Sequence, residues 1–140
     1  MVVQVDTSVF VGIERGGLSW EDLDDSCGDN DRAISVITVS ELLHGAARSS
    51  HFRARRLAFV ERIIASSTPE PVTETIARVH GDLTATLARS GASIGANDSW
   101  IAATAIANGW MVATLDQAFD RVPGLQVISP SAELRRRGSA

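Results

Sequence analysis

Four acidic residues stand where their carboxylates could act together: Asp6, Glu41, Asp98 and Asp116. Asp6 and Asp116 each follow a short apolar run that is typical of a buried strand, whereas Glu41 and Asp98 lie near the start of helical patterns. In an open α/β sheet, strand carboxyl ends and helix N-termini share one edge, where ligands bind. We therefore predict that the four carboxylates meet at that edge.

A divalent cation would explain why four carboxylates gather in one place. Without a cation they repel one another, and an unpaired buried carboxylate is costly. Asp6 is the strongest case, because it ends an apolar strand expected to be central in the sheet. Hard oxygen ligands without clustered His or Cys select Mg²⁺ or Mn²⁺ over zinc. The pattern thus predicts a Mg²⁺ or Mn²⁺ site.

Each acid also has a purely structural interpretation. Glu41 could close a capping box with Thr38, three residues earlier. Asp98 follows Asn97, a candidate helix N-cap, and would be stabilised there by the helix macrodipole. The other two acids could cap a helix or close a polar turn. Both interpretations remain open for each acid taken alone.

Hydroxyl side chains flank the acids. They could orient carboxylates or metal-bound water, or simply cap helices; they are Thr7, Ser8, Ser99 and Thr114. His44 forms a single Glu-x-x-His unit with Glu41. In di-iron bundles that unit occurs twice, so we expect His44 to lie outside the metal site.

The composition describes one ordinary domain. With 140 residues, 44% hydrophobic and 21% charged, the chain is long enough to bury a core. We predict a domain over residues 1–132 and a frayed tail over 133–140. No apolar run approaches a bilayer span and no basic leader is visible. Cys27 is the single cysteine, which favours a reducing cytoplasm.

The charged residues exclude several functions. The net charge of −4 argues against nucleic-acid binding through overall charge, and the chain contains no lysine. A P-loop, a receiver domain and a dehalogenase-type phosphatase all need one. A phosphatase with Asp6 as nucleophile is weakened further by Ser8, where dehalogenases place a second aspartate.

Arginines cluster between residues 48 and 62. They could contact RNA phosphates without reading sequence, form a solvated helix face, or belong to a protein interface; they are Arg48, Arg53, Arg55, Arg56 and Arg62.

Strands alternate with helices along the chain. The apolar periodicity predicts strands over 2–5, 33–37, 111–114 and 126–128, with a weak edge strand at 70–72, and helices over 7–15, 18–27, 38–47, 52–65, 74–89, 98–108 and, as a short turn or helix, 116–121. This order predicts a parallel sheet with right-handed crossovers and helices on both faces.

Four segments in this order resemble PIN domains, most closely the VapC-type toxins of toxin–antitoxin pairs. They are Val-Asp-Thr-Ser-Val-Phe at 5–10, Ser-Val-Ile-Thr-Val-Ser-Glu-Leu-Leu-His-Gly at 35–45, Gly-Ala-Asn-Asp-Ser-Trp-Ile-Ala-Ala-Thr-Ala at 95–105, and Val-Ala-Thr-Leu-Asp-Gln-Ala-Phe-Asp-Arg-Val-Pro-Gly-Leu at 112–125. The resemblance implies a PIN-like three-layer α/β/α sandwich around a central parallel sheet.

The resemblance also implies an activity and a site. A Mg²⁺- or Mn²⁺-dependent endoribonuclease would cleave RNA phosphodiester bonds with a metal-activated water, which needs no protein nucleophile. Asp6 and Asp98 are the expected direct ligands, and Glu41 and Asp116 complete the site. The alternative is a catalytically inactive PIN-like domain that binds nucleic acid or a partner.

The implied partners are a second copy of the chain, as a homodimer, and a small antitoxin that blocks the active site, often with a basic side chain. One departure from the family's pattern concerns the last segment. Many relatives carry aspartate directly before its phenylalanine, where this chain has Ala118, and Asp120 follows Phe119 instead. Asp120 is a candidate to substitute for the missing acid.

Overall fold

The protein folds as an α/β sandwich, as predicted. The computed structural model describes residues 1–131, so the tail predicted over 133–140 lies outside the described residues. Its elements, in chain order, are β1 (Val2–Val5), α1 (Thr7–Glu14), α2 (Trp20–Cys27), β2 (Asp31–Ala33), α3 (Val36–Arg48), α4 (Arg53–Ala65), α5 (Glu74–Arg89), α6 (Ala96–Asn108), β3 (Met111–Ala113), a short 3₁₀ helix (Gln117–Arg121) and β4 (Val127–Ile128). No helix within that range is long and apolar enough to cross a membrane.

The sheet is parallel and has the order β2-β1-β3-β4. Alternate residues of a strand point to opposite faces, and two hydrophobic clusters follow this alternation. Val3, Val5 and Ala113 pack with side chains of α1 to α4 on one face. Val112 packs with side chains of α5 and α6 on the other face. The sheet is therefore covered on both sides, which explains why the central strand β3 is apolar throughout and β1 is apolar except at Gln4.

The central pair of strands sets the position of the first acid. In the β1–β3 register, Val5 lies opposite Ala113. The Asp6 amide continues the ladder by donating to the Ala113 carbonyl at 2.9 Å. Asp6 and Thr114 therefore leave the sheet side by side, at the edge where β1 and β3 end.

The strand predicted over 33–37 is wrong in position, because the observed strand shares only Ala33 with it and the last two predicted residues are helical. β2 covers only Asp31–Ala33, and α3 already begins at Val36. The reason is Ser35, whose side chain accepts a hydrogen bond from the Ile37 amide at 3.0 Å and caps the helix. The edge strand predicted at 70–72 reduces to one isolated bridge between Ser35 and Glu70.

Helix α4 buries one face and begins after a residue in an unusual backbone conformation. Val60 and Ile63 are buried, whereas Leu57 is 42% exposed. Phe52 precedes the helix in the left-handed conformation, with φ 60°, and its side chain is 72% exposed. A β-carbon in this conformation strains the backbone, so Phe52 is held at a local energetic cost.

We expect Phe52→Asn to stabilise the protein by about 1 kcal/mol, raising the melting temperature by about 3 °C. Asparagine tolerates the left-handed conformation, is a favourable N-cap residue, and sacrifices little burial at this exposed position. Thermal unfolding followed by circular dichroism measures the change.

The matched control is Leu57→Asn, which places the same residue inside the same helix. Asparagine is a poorer helix former than leucine, so this variant should lose about 0.5 kcal/mol. If both variants melt at lower temperature than the wild type, the strain assigned to Phe52 is not present.

Candidate active site

The four predicted acids line one cavity. It has a volume of about 520 Å³ and lies where β1 and β3 end. The residues around it are Asp6, Thr7, Ser8, Val11, Gly12, Arg15, Glu41, Asp98, Leu115 and Asp116. Four chain segments that are distant in sequence thus place carboxylates around a single space.

Asp6 is the most buried of these acids, at 3% exposed. Its Oδ2 accepts hydrogen bonds from Ser8 Oγ at 2.7 Å, Thr114 Oγ1 at 2.8 Å and the Ser8 amide at 3.4 Å. Within residues 1–131 all of its side-chain hydrogen bonds go to Oδ2. The carboxylate is therefore held by one oxygen, and Oδ1 is left for a ligand.

Glu41 is oriented by a different segment. Its Oε1 accepts a hydrogen bond from Thr7 Oγ1 at 2.7 Å. The capping-box interpretation is wrong, because Ser35 is the N-cap of α3 and Thr38 lies inside the helix. Glu41 sits in the second turn of α3, too far along to reach a capping position, and faces the cavity instead.

Asp116 caps the 3₁₀ helix that follows β3. Its Oδ1 accepts from the Ala118 amide at 2.9 Å, and its own amide donates to Thr114 Oγ1 at 3.0 Å. Thr114 thus accepts from the Asp116 amide while its hydroxyl donates to Asp6. This hydroxyl links the two acids that follow neighbouring strands.

Asp98 differs from the other acids because no hydroxyl or amide of the described residues donates to it. Burial, together with the negative charges of Asp6, Asp116 and Glu41, raises the pKa of Asp98 to about 6. A hydrogen bond between the Asp98 and Asp116 carboxyls, which requires a proton, adds to the increase. The raised pKa of Asp98 shows that the other three acids lie close enough to repel its charge.

The donor set fits a hard divalent cation in its chemistry. Four carboxylates surround the cavity, no imidazole or thiol of residues 1–131 lines it, and such ligands suit Mg²⁺ or Mn²⁺. Their spacing is looser than that of a finished metal centre. Among residues 1–131, no group of three or more His, Cys, Asp or Glu side chains is arranged to hold a metal ion.

Other residues singled out in the sequence lie elsewhere. Ser99 bonds to the Ala96 carbonyl and to His80, not to a carboxylate. His44 is exposed and does not line the cavity. Asp120 is exposed as well and lies outside the cavity lining, so the structure gives it no role in place of the acid absent at Ala118.

The arginines show what the sequence analysis missed. None of the five between residues 48 and 62 lines the acidic cavity, whereas Arg15 does. Arg56 pairs with Glu14, with Nε–Oε1 and Nη2–Oε1 distances of 3.0 Å and 2.9 Å. The sequence offered one signal for Arg15, since it ends the helix that Asp6 begins.

A second, larger cavity adjoins the first. This aromatic groove has a volume of about 750 Å³ and shares Arg15 with the acidic cavity. Its lining residues are Ile13, Glu14, Arg15, Gly16, Leu18, Ser19, Trp20, His51, Phe52, Arg55, Arg56 and Phe59. Trp20 is 45% exposed and packs between Phe10 and Phe59, with both ring centroids 6.1 Å away.

Comparison with known proteins gives a consistent result. The family model described as "PIN domain" matches residues 3–125. The chain is 37% identical over 122 residues to Ribonuclease VapC5 of Mycobacterium tuberculosis, covering 86% of this chain and 87% of the relative. It is 38% identical over 96 residues to the tRNA(fMet)-specific endonuclease VapC of Salmonella typhimurium, covering 67% and 71%.

Among solved structures, DNA-bound VapBC from Salmonella typhimurium superposes with a TM-score of 0.78 at 29% identity, covering 91% of this chain and 96% of the other. VapBC2 from Rickettsia felis, bound to a promoter DNA fragment, reaches a TM-score of 0.82 at 24% identity, covering 91% and 97%. The second likeness concerns the fold alone.

The raised pKa of Asp98 predicts a pH-dependent stability in the metal-free protein. The folded state binds the Asp98 proton more tightly than the unfolded chain does, so stability falls as pH rises from 3.8 to about 6. Asp98→Asn cannot ionise. We expect its melting temperature to exceed that of the wild type at about pH 8, and the difference to shrink below about pH 4.

Asp82→Asn provides the control, because Asp82 is an exposed acid on α5 outside the cavity lining. Scanning calorimetry in the presence of a chelator gives both comparisons. A difference between wild type and Asp98→Asn that does not change with pH would contradict the electrostatic interpretation.

Proposed function

We propose, because this chain belongs to the PIN-domain family, that it is a divalent-metal-dependent endoribonuclease and the toxin of a toxin–antitoxin pair. The observation that carries the proposal is the single cavity lined by Asp6, Glu41, Asp98 and Asp116. The pKa of Asp98 is raised by burial and by the charges of its three acidic neighbours, and the closeness of these charges supports a shared cation site.

The relatives support RNA as the substrate class. Two similar proteins carry the names ribonuclease and tRNA(fMet)-specific endonuclease, at 37% and 38% identity. The overall net charge of −4 means that RNA must be guided locally. Arg15 lines the acidic cavity and can contact a phosphate of an RNA strand that enters it.

We assign the metal to Asp6 and Asp98, with Glu41 and Asp116 completing its surroundings. A bound Mg²⁺ or Mn²⁺ supplies Lewis-acid stabilisation of the phosphate charge and makes water easier to deprotonate. The chain's own task is to hold the carboxylates in place before the cation arrives. Ser8 and Thr114 do so for Asp6, and Thr7 does so for Glu41.

The catalytically inactive alternative makes a different prediction for the acids, because a binding domain without catalysis does not need their negative charges. Glu41→Gln separates the two because glutamine still accepts the Thr7 hydrogen bond and keeps the helix. It removes a negative charge, which weakens the site for a hard cation. We expect RNA cleavage in Mn²⁺ to fall at least about 100-fold, with a melting temperature close to that of the wild type.

Glu61→Gln is the matched control, since Glu61 is exposed on α4 and lies outside both cavities. Cleavage of fluorescent RNA with and without chelator measures the activity. Unchanged metal-dependent cleavage by Glu41→Gln would remove Glu41 from the site. Wild-type protein without metal-dependent cleavage would favour the inactive PIN-like binding domain.

We propose the aromatic groove as the docking surface for the antitoxin. Exposed aromatic side chains such as Trp20 and Phe52 mark interaction sites on soluble proteins. The groove runs up to the acidic cavity at Arg15, so a partner seated there reaches the acids. The occupant we favour is an antitoxin segment, because similar solved structures at 29% identity are VapBC complexes.

Two arginines of the cluster between residues 48 and 62 lie in this groove. Arg55 and Arg56 line it, and Arg56 is already paired with Glu14. We therefore favour partner contact over RNA guidance for these two residues. The homodimer implied by the family resemblance remains a prediction, testable by light scattering.

Phe52→Asn tests the docking surface with the variant whose stability was predicted above. Loss of an exposed aromatic anchor should weaken binding of the cognate antitoxin at least about 10-fold, although the protein itself becomes more stable. Leu57→Asn, outside the groove lining, should bind the antitoxin normally although it is less stable. Titration calorimetry gives both affinities, and normal binding by Phe52→Asn would place the antitoxin elsewhere.

A further inference from the structure

The helix that carries Asp98 begins without a capping side chain. The sequence favoured Asn97 as the N-cap, but α6 starts at Ala96 and its N-cap is Gly95, and no side chain in the described part of the chain bonds to its first amides. The side chains that cap α1, α2, α3 and α5 are Asp6, Ser19, Ser35 and Thr73. Uncapped first turns tend to fray, and fraying here would displace Asp98, the third residue of the helix.

The imidazole of His80, on α5, forms a hydrogen bond with this first turn of α6. The Ser99 hydroxyl donates to the Ala96 carbonyl at 2.6 Å, so its single hydrogen is in use. His80 Nε2, 3.0 Å from Ser99 Oγ, must therefore carry the hydrogen and donate it. Ser99 is 4% exposed, and at such a site a satisfied hydrogen bond is stronger than in water.

The same imidazole also contacts the next residue. The His80 and Trp100 rings stack with their centroids 3.6 Å apart and an angle of 5° between their planes. At the residue directly after Trp100, Gln4 of β1 donates to the Ile101 carbonyl at 2.9 Å. The residues directly after Asp98 are thus tied to α5 by His80 and to the sheet by Gln4.

The segment that precedes Asp98 is packed less tightly than the residues that follow it. The residues that lead into the helix are exposed or half-buried, from Gly91 to Asn97. A β-carbon on Gly95 would stand 3.5 Å from Asp98 Oδ2, so the acid lies directly over this cap. Since no hydroxyl or amide of the described residues donates to its carboxylate, the position of Asp98 depends on how firmly the first turn is held.

We propose that His80 is a positioning residue for Asp98. By donating a hydrogen bond to Ser99, it holds the uncapped first turn of α6 and thereby keeps the Asp98 carboxylate in the acidic cavity, in position to bind the metal. The inference rests on the proposed function, since it takes Asp98 to be a metal ligand. A stability role alone would require packing from His80 but not its N–H group.

Two substitutions separate the hydrogen bond from the ring stack. His80→Gln keeps an N–H donor at about the place of Nε2 and loses the ring, whereas His80→Phe keeps an aromatic ring and loses the donor. Mn²⁺ affinity, measured by calorimetry without RNA, is the first readout. We expect His80→Phe to bind Mn²⁺ about 10-fold more weakly than wild type and His80→Gln to remain within about 3-fold.

Amide hydrogen exchange in the metal-free protein is the second readout. His80→Phe should speed exchange in the first turn of α6 while leaving the middle of α5 protected, and His80→Gln should restore the protection. Wild-type Mn²⁺ affinity in His80→Phe, or a Gln variant no better than the Phe variant in either readout, would overturn the inference. Wild-type protein that binds no Mn²⁺ would instead refute the metal site, and the inference with it.

Discussion

The burial of a carboxylate at the end of the central strand is the constraint on which the rest of the site depends. Asp6 is 3% exposed, and a buried carboxylate is tolerated only when its oxygens are satisfied. The chain meets this requirement at Oδ2, which accepts from Ser8, the second residue of α1, and from Thr114, directly after β3. The β1–β3 register therefore also brings Asp6 and Thr114 together at the site.

The four acids receive different numbers of hydrogen bonds, and this difference bears on the raised pKa of Asp98. Hydroxyls or amides donate hydrogen bonds to Asp6, Glu41 and Asp116. Asp98 receives no such bond from the described residues, so burial and the neighbouring charges act on it without compensation and raise its pKa. A cation would relieve Asp98 most, and for that reason the fixing of its helix matters.

The sequence predicted what depends on local pattern and missed what depends on contacts. The order of strands and helices followed from apolar periodicity, and the strand ends placed the acids at one edge. The β-branched pair Val36 and Ile37 suggested a strand, but the Ser35 cap made them helical. The ion pair that occupies Arg56 joins residues 42 positions apart, and no local pattern could reveal it.

Helix α1 connects the proposed activity with its proposed control. Its first residues, Thr7 and Ser8, orient two of the acids, and its last residues, Ile13 and Glu14, line the aromatic groove. Eight residues of α-helix span about 12 Å, so the proposed docking surface and the acids are separated by no more than the length of one short helix. Since Arg15 borders both spaces, a partner can change the charge around the cavity without any rearrangement of the fold.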